Sequence, residues 1–167
     1  MNLPRPRRLP VLATCPGLVA AALLGACTNQ NATLGVVPAP QAQVSFSTHV
    51  RPILSNAGCT ASGCHGGSVT SANMSLERIF DPAAGAVGVT SCEAPPLSRI
   101  EPFNGNGSYL IHKLEGTQRT VTCSACDTVT FGTVSDCGAQ MPFGLRALEP
   151  ADIKTIHDWI DQGAKDN

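Results

Sequence analysis

Apolar residues recur along this chain in three short helical rhythms, set apart by long stretches with no period. In "VSFSTHVRPIL", Phe46, Val50, Ile53 and Leu54 fall at i, i+4, i+7 and i+8, which is one face of a short helix. Ser47 is placed to cap it, and Pro52, about a turn further in, predicts a kink or a late start. In "SYLIHKLEG", Ser108 supplies a cap, Leu110, Ile111 and Leu114 share a face, and Gly116 supplies a stop. The clearest rhythm is "EPADIKTIHDWIDQGA". Pro150 suits a first turn and Asp152 the positive end of the helix dipole; Ile153, Ile156 and Ile160 form the stripe, and Gly163 closes it. The pattern predicts an all-α domain.

Between these helices, residues 66–107 and 117–147 are rich in Gly, Ser, Thr and Pro and hold little periodic signal. Five Phe, one Tyr and one Trp make a thin core for 167 residues. Coil of this length is usually functional or stapled. The expectation is that something besides side chains fills the middle and that cross-links hold the edges.

The N-terminus changes the picture of charge and location. "MNLPRPRR" precedes the apolar run "LPVLATCPGLVAAALLGAC", so residues 1–26 read as a signal peptide with Arg5, Arg7 and Arg8 as its cationic start. Leu24, Gly25 and Ala26 before Cys27 make a bacterial lipobox, with Cys27 as the lipidated residue; a plain secretory cut nearby is the simpler alternative. Cys15 is a weaker candidate, because Thr14 fits a cleavage site poorly. Residues 27–43, small, polar and proline-containing, read as a flexible tether, and residues 44–167 as the domain. Cleavage removes three cations and no acid, leaving eight Lys and Arg against 12 Asp and Glu, a net charge of −4. No basic run lies outside the signal, so nucleic acid is not an expected partner. The expected place is the periplasmic side of a bacterial membrane, held by lipid, and Thr28 after Cys27 leans toward the outer membrane by analogy.

Export exposes thiols to an oxidising compartment, which makes the cysteine count informative. Of eight cysteines, Cys15 leaves with the signal and Cys27 takes the lipid, so six remain. "CTASGCHGG" places Cys59 and Cys64 four residues apart with His65 behind the second. Haem attachment needs two thiols for the vinyl groups and an imidazole for the iron, which Cys-x-x-Cys-His provides in one turn. The two extra residues must bulge out; they are small, and Gly66 and Gly67 let backbone pass close to a porphyrin. Bonding through Cys64 alone would leave five thiols and an unpaired one, whereas bonding through both leaves Cys92, Cys123, Cys126 and Cys137 for two disulfides, in any of three pairings. Zinc held by Cys59, Cys64, Cys123 and Cys126 is disfavoured, because exported thiols oxidise and adjacent Cys64 and His65 point apart. A disulfide beside an ordinary histidine stays open.

A haem iron takes a second axial ligand, and "CGAQMPFG" offers Met141, a soft, neutral thioether that favours ferrous iron, on a loop stiffened by Pro142. Met74 lies too near His65 in sequence to reach the opposite face, and His49 and His112 suit helix surfaces. His157, in phase with Ile153 and Ile160, suits a half-buried, hydrogen-bonded position. Lys113, Arg119 and Arg146 read as scattered solvated cations.

Taken in order, "FSTHVRPIL", "CTASGCHGG", "SYLIHKLEG", "QMP" and "DIKTIHDWIDQGA" resemble a monohaem c-type cytochrome domain, of the small planctomycete and myxobacterial type, over residues 46–165. The resemblance implies a cytochrome c-like fold with one covalent haem c. It makes Cys59 and Cys64 thioether donors, His65 the proximal ligand and Met141 the distal one. Trp159 resembles the aromatic of a terminal helix that packs toward the N-terminal helix. The four-residue gap and the "CSAC" segment depart from the family pattern. The implied role is single-electron transfer with redox proteins of a respiratory or dehydrogenase chain, not enzyme catalysis. The alternatives are a five-coordinate haem sensor or peroxidase-like protein, and a haem-free, disulfide-stapled exported module.

Overall fold

Ser45 begins the ordered helical part of the chain: its Oγ accepts from the Thr48 amide at 3.3 Å. The computed structural model describes residues 41–68, 70–124, 126 and 137–167. The signal peptide, Cys27 and all but the end of the tether lie outside these residues. The expected cap at Ser47 is corrected: its amide and hydroxyl bond the Asn167 carbonyl at 3.0 and 2.8 Å. A π-helical turn, Phe46–Val50, leads into α1, Arg51–Asn56, with Pro52 in the first turn, where a missing amide costs nothing. The late start expected from Pro52 is what the chain does.

The other two helices fall where the periodicity puts them. Helix α2 spans Tyr109–Glu115 and ends on left-handed Gly116; helix α3 spans Pro150–Asp161. Ser108 precedes α2 without capping it through its side chain, which instead donates to the Asn104 carbonyl at 2.8 Å and accepts from the Glu101 amide. Two 3₁₀ turns, Ser71–Asn73 and Gln118–Thr120, complete the elements. No strand occurs among the described residues, only isolated bridges such as Val87 with Ile100 and Thr90 with Ser98. The described domain is all-α with long coil.

The core forms where the first and last helical segments meet. Phe46 packs on Trp159 with ring centroids 5.3 Å apart and edge-on to Phe80 at 5.0 Å. Val50, Leu54, Ile156 and Ile160 bury around them, and Ile79, Ile100, Ile111 and Leu114 join from the coil and α2. The Trp159 indole donates to the Lys165 carbonyl at 2.9 Å, so its polar edge is satisfied.

The coil is fastened by backbone bonds and by cross-links. Gly88 donates to the Ile100 carbonyl and Ile100 to that of Ala86, at 2.9 and 3.1 Å. Disulfides join Cys92 to Cys126 and Cys123 to Cys137. This is one of the three pairings the sequence left open.

Candidate functional site

Helix α1 delivers the chain to residues 59–65 through a close turn. The Cys59 amide bonds the Leu54 carbonyl at 2.9 Å, and the His65 amide returns to the Cys59 carbonyl at 3.1 Å. The four intervening residues therefore loop out while the ends stay together. A Cβ on Gly66 would lie 1.9 Å from the Thr60 carbonyl oxygen, so this closure requires glycine. The close approach at Gly66 is thus met by the chain's own backbone.

Cys59 and Cys64 are both free thiols, whereas the other four described cysteines are paired. Their surroundings differ. Cys59 is buried in the apolar core, and burial pushes its thiol up to about 11; Cys64 is exposed.

His65 is buried, with 9% of its surface exposed, and its Nδ1 lies 3.2 Å from the Met74 carbonyl oxygen. A carbonyl only accepts, so the ring donates from Nδ1 and its lone pair sits on Nε2. Burial pushes the imidazole below its ordinary range, and the opposing Met74 and Ser71 carbonyls only partly offset this. A neutral ring with Nδ1 anchored and the lone pair on Nε2 is the ligating form of histidine. Ser71 and Leu76 amides bond the Cys64 and His65 carbonyls at 2.7 and 2.8 Å, fixing the backbone on both sides.

His65 opens onto a small cavity whose walls also carry Met141, Met74, Arg99, Tyr109 and Lys113. Met141, half-buried against the core, is brought there by α2: its amide bonds the Lys113 carbonyl at 2.9 Å, and the Gln140 side chain bonds the Leu114 carbonyl at 3.1 Å. The imidazole and the thioether, distant in sequence, thus line one space. Met74 shares it too, but through its carbonyl it supports His65.

Lys113 corrects the expectation of a solvated cation. It is buried, 2.9 Å from Glu93, and donates to the Cys137 carbonyl at 3.1 Å; the Tyr109 hydroxyl donates to the same carbonyl at 2.7 Å. A Cβ on Gly138 would meet Glu93 Oε1 at 2.2 Å, so glycine there lets the ion pair form. Arg119 and Arg146 are exposed as expected, and Arg146 pairs with Glu149. Sequence reasoning missed Glu93, Arg99 and Tyr109. The one available signal was the placing of Glu93 directly after Cys92, which ties an acid to a cross-linked point.

The remaining histidines lie elsewhere. His49 accepts from the Ser45 amide at 2.9 Å, His112 bonds Thr117 Oγ1 at 2.9 Å, and His157 sits between Asp161 and Asn106 at 3.0 and 3.1 Å. None of the three lines this cavity. Cys123 and Cys126 are consumed by disulfides, which removes the zinc set.

By type the donors suit a haem iron: an imidazole and a thioether wall a single cavity. The thiols are unpaired, as thioether formation requires, yet neither Cys59 nor Cys64 lines that cavity. No protein-family model, curated protein or solved structure matches the chain.

Proposed function

We propose that this protein is an exported c-type cytochrome, tethered to a bacterial membrane through lipid on Cys27, that passes single electrons between redox proteins of a respiratory or dehydrogenase chain. In this reading the domain is a cytochrome c-like fold and the protein a carrier, not an enzyme. The observation that carries the reading is that His65 and Met141, distant in sequence, share one cavity in a domain where Cys59 and Cys64 are the only two unpaired thiols among the described residues. Cys59 and Cys64 would hold the haem by thioether bonds, and His65 Nε2 and Met141 Sδ would be its axial donors. When bound, the haem supplies one-electron chemistry at a potential set by ligands and burial.

The chain's own residues supply the rest. The Met74 carbonyl orients the His65 ring and makes it more basic. Helix α2 holds the Met141 loop through Lys113 and Leu114. The pairing with Glu93 neutralises Lys113 at the cavity wall.

A second reading, a haem-free exported module stapled by disulfides, has its own support. Two disulfides are present, and both motif thiols lie off the cavity. Expression of the full chain beside a cytochrome c maturation apparatus separates the two. The cytochrome keeps its colour through denaturing electrophoresis; a colourless band, from cells that mature other c-type cytochromes, leaves the module.

A further inference from the structure

The His65 ring is oriented by a carbonyl that stands at the end of an unusual stretch of backbone. Ala72 and Asn73, immediately before Met74, adopt left-handed angles, with φ of 55° and 49°. Such angles are uncommon outside glycine and cost of order 1 kcal/mol or more each unless the surroundings enforce them. Here the enforcement comes from one side chain, twenty-odd residues along the chain. Arg99, half-buried at the cavity wall, directs Nη2 to the Ala72 carbonyl at 2.9 Å. Its Nη1 reaches the Gly85 carbonyl at 2.7 Å and the Asn73 carbonyl at 3.4 Å. Arg99 is in turn held in register from its own backbone: its amide bonds the Val89 carbonyl at 2.7 Å, and its carbonyl accepts from the Leu110 amide at 2.9 Å. Among the described residues the guanidinium has no carboxylate partner; its bonds run to main-chain oxygens, and its planar fork fits that task where an ammonium would not.

We propose that Arg99 is a positioning residue for His65: by gripping the carbonyls of Ala72 and Asn73 it maintains the left-handed turn that presents the Met74 carbonyl to Nδ1. The proposal rests on the reading of His65 as an axial ligand and names what fixes that ligand's tautomer and ring angle. The chain of contacts runs from Arg99 to Ala72 and Asn73, then to Met74, then to His65 Nδ1. Removing the fork frees the turn to relax to right-handed angles, which withdraws the Met74 carbonyl.

The test follows the His65 Nδ1–H proton by NMR in the matured, histidine-labelled full chain, measuring its solvent exchange against that of the Trp159 indole N–H. Arg99→Met accelerates exchange at His65 about tenfold, the weight of one lost hydrogen bond, and leaves Trp159 unchanged. Arg99→Lys, which can serve one carbonyl, falls between. Equal acceleration at both protons would mean that Arg99 acts only on global stability, and unchanged exchange at His65 would mean that the turn holds without it; either result overturns the proposal. If the purified chain carries no haem, the same labelled sample reports the tautomer from its ring nitrogen shifts. A single Nδ1–H form that becomes mixed in Arg99→Met would then sustain the positioning role while the cytochrome reading fails. A wild-type ring protonated at Nε2 would overturn the proposal.

Discussion

Cys59 lies within the apolar cluster, where burial raises its thiol from 9.0 to about 11. In the haem-free chain the unfolded thiol therefore ionises first as pH rises, and the folded state holds the extra proton between those values. Stability falls with pH across that window, because the native state binds more protons there than the unfolded one. Urea midpoints measured from pH 8.5 to 11 will decline less steeply in Cys59→Ala, although Tyr109, also raised by burial, keeps some slope at the upper end. Parallel slopes would show that Cys59 is solvated. Lys113 makes the converse point about charge. Lys113→Met strands Glu93 without its cation and costs about 3–5 kcal/mol in denaturant unfolding; a loss below about 1 kcal/mol would place the pair in water. On the proposed haem reading, Met141→Ala would open a coordination position, so the ferrous variant would bind carbon monoxide without denaturant while the wild type would not. Spectral titration checks this, and binding by the wild type would favour the five-coordinate alternative. That Cys59 and Cys64 stay out of the disulfides and that His65 and Met141 share one space was legible in residue type and spacing. Lys113 was not, since a lysine on a short helix is solvated unless an acid from distant coil meets it.

Among the elements, periodicity located all three helices, because each carries an apolar face that only one core can bury. It misplaced one cap by two residues: Ser45, not Ser47, accepts from the Thr48 amide, while both hydroxyls donate to the Asn167 carbonyl. The coil of residues 57–107 was not legible at all. Its order comes from backbone carbonyls held by Arg99, backbone amides that donate to the Ser91 and Ser108 hydroxyls, and bridges between residues 86–91 and 97–100, none of which leaves a hydrophobic period. The cross-link Cys123–Cys137 ends on the carbonyl that Tyr109 and Lys113 both grip, a few residues before Met141. Replacing both cysteines by serine removes a short closed loop from the unfolded state and costs about 3 kcal/mol in urea unfolding. On the haem reading the same variant would also weaken Met141 as a ligand, visible as carbon monoxide binding to the ferrous protein. No change in either quantity would separate the staple from the site.

For the whole molecule, the thin core expected from seven aromatics is met by packing Phe46, Phe80 and Trp159 at one place and by stapling the rest. Two disulfides suit an oxidising, exported environment, and among the described residues no helix is long and apolar enough to cross a membrane. A lipid on Cys27 would supply the attachment that such helices do not. The cavity with His65 and Met141 is also lined by Tyr109, Leu110 and Lys113 of α2, and on the proposed reading a flat cofactor would take the place of side chains there. The most direct test is the intact mass of the full chain after export and maturation. The account predicts the cleaved, lipidated polypeptide plus one haem, with no thiol left to alkylate once both disulfides are intact. A mass explained by polypeptide and lipid alone, with Cys59 and Cys64 open to alkylation or joined to each other, would contradict it.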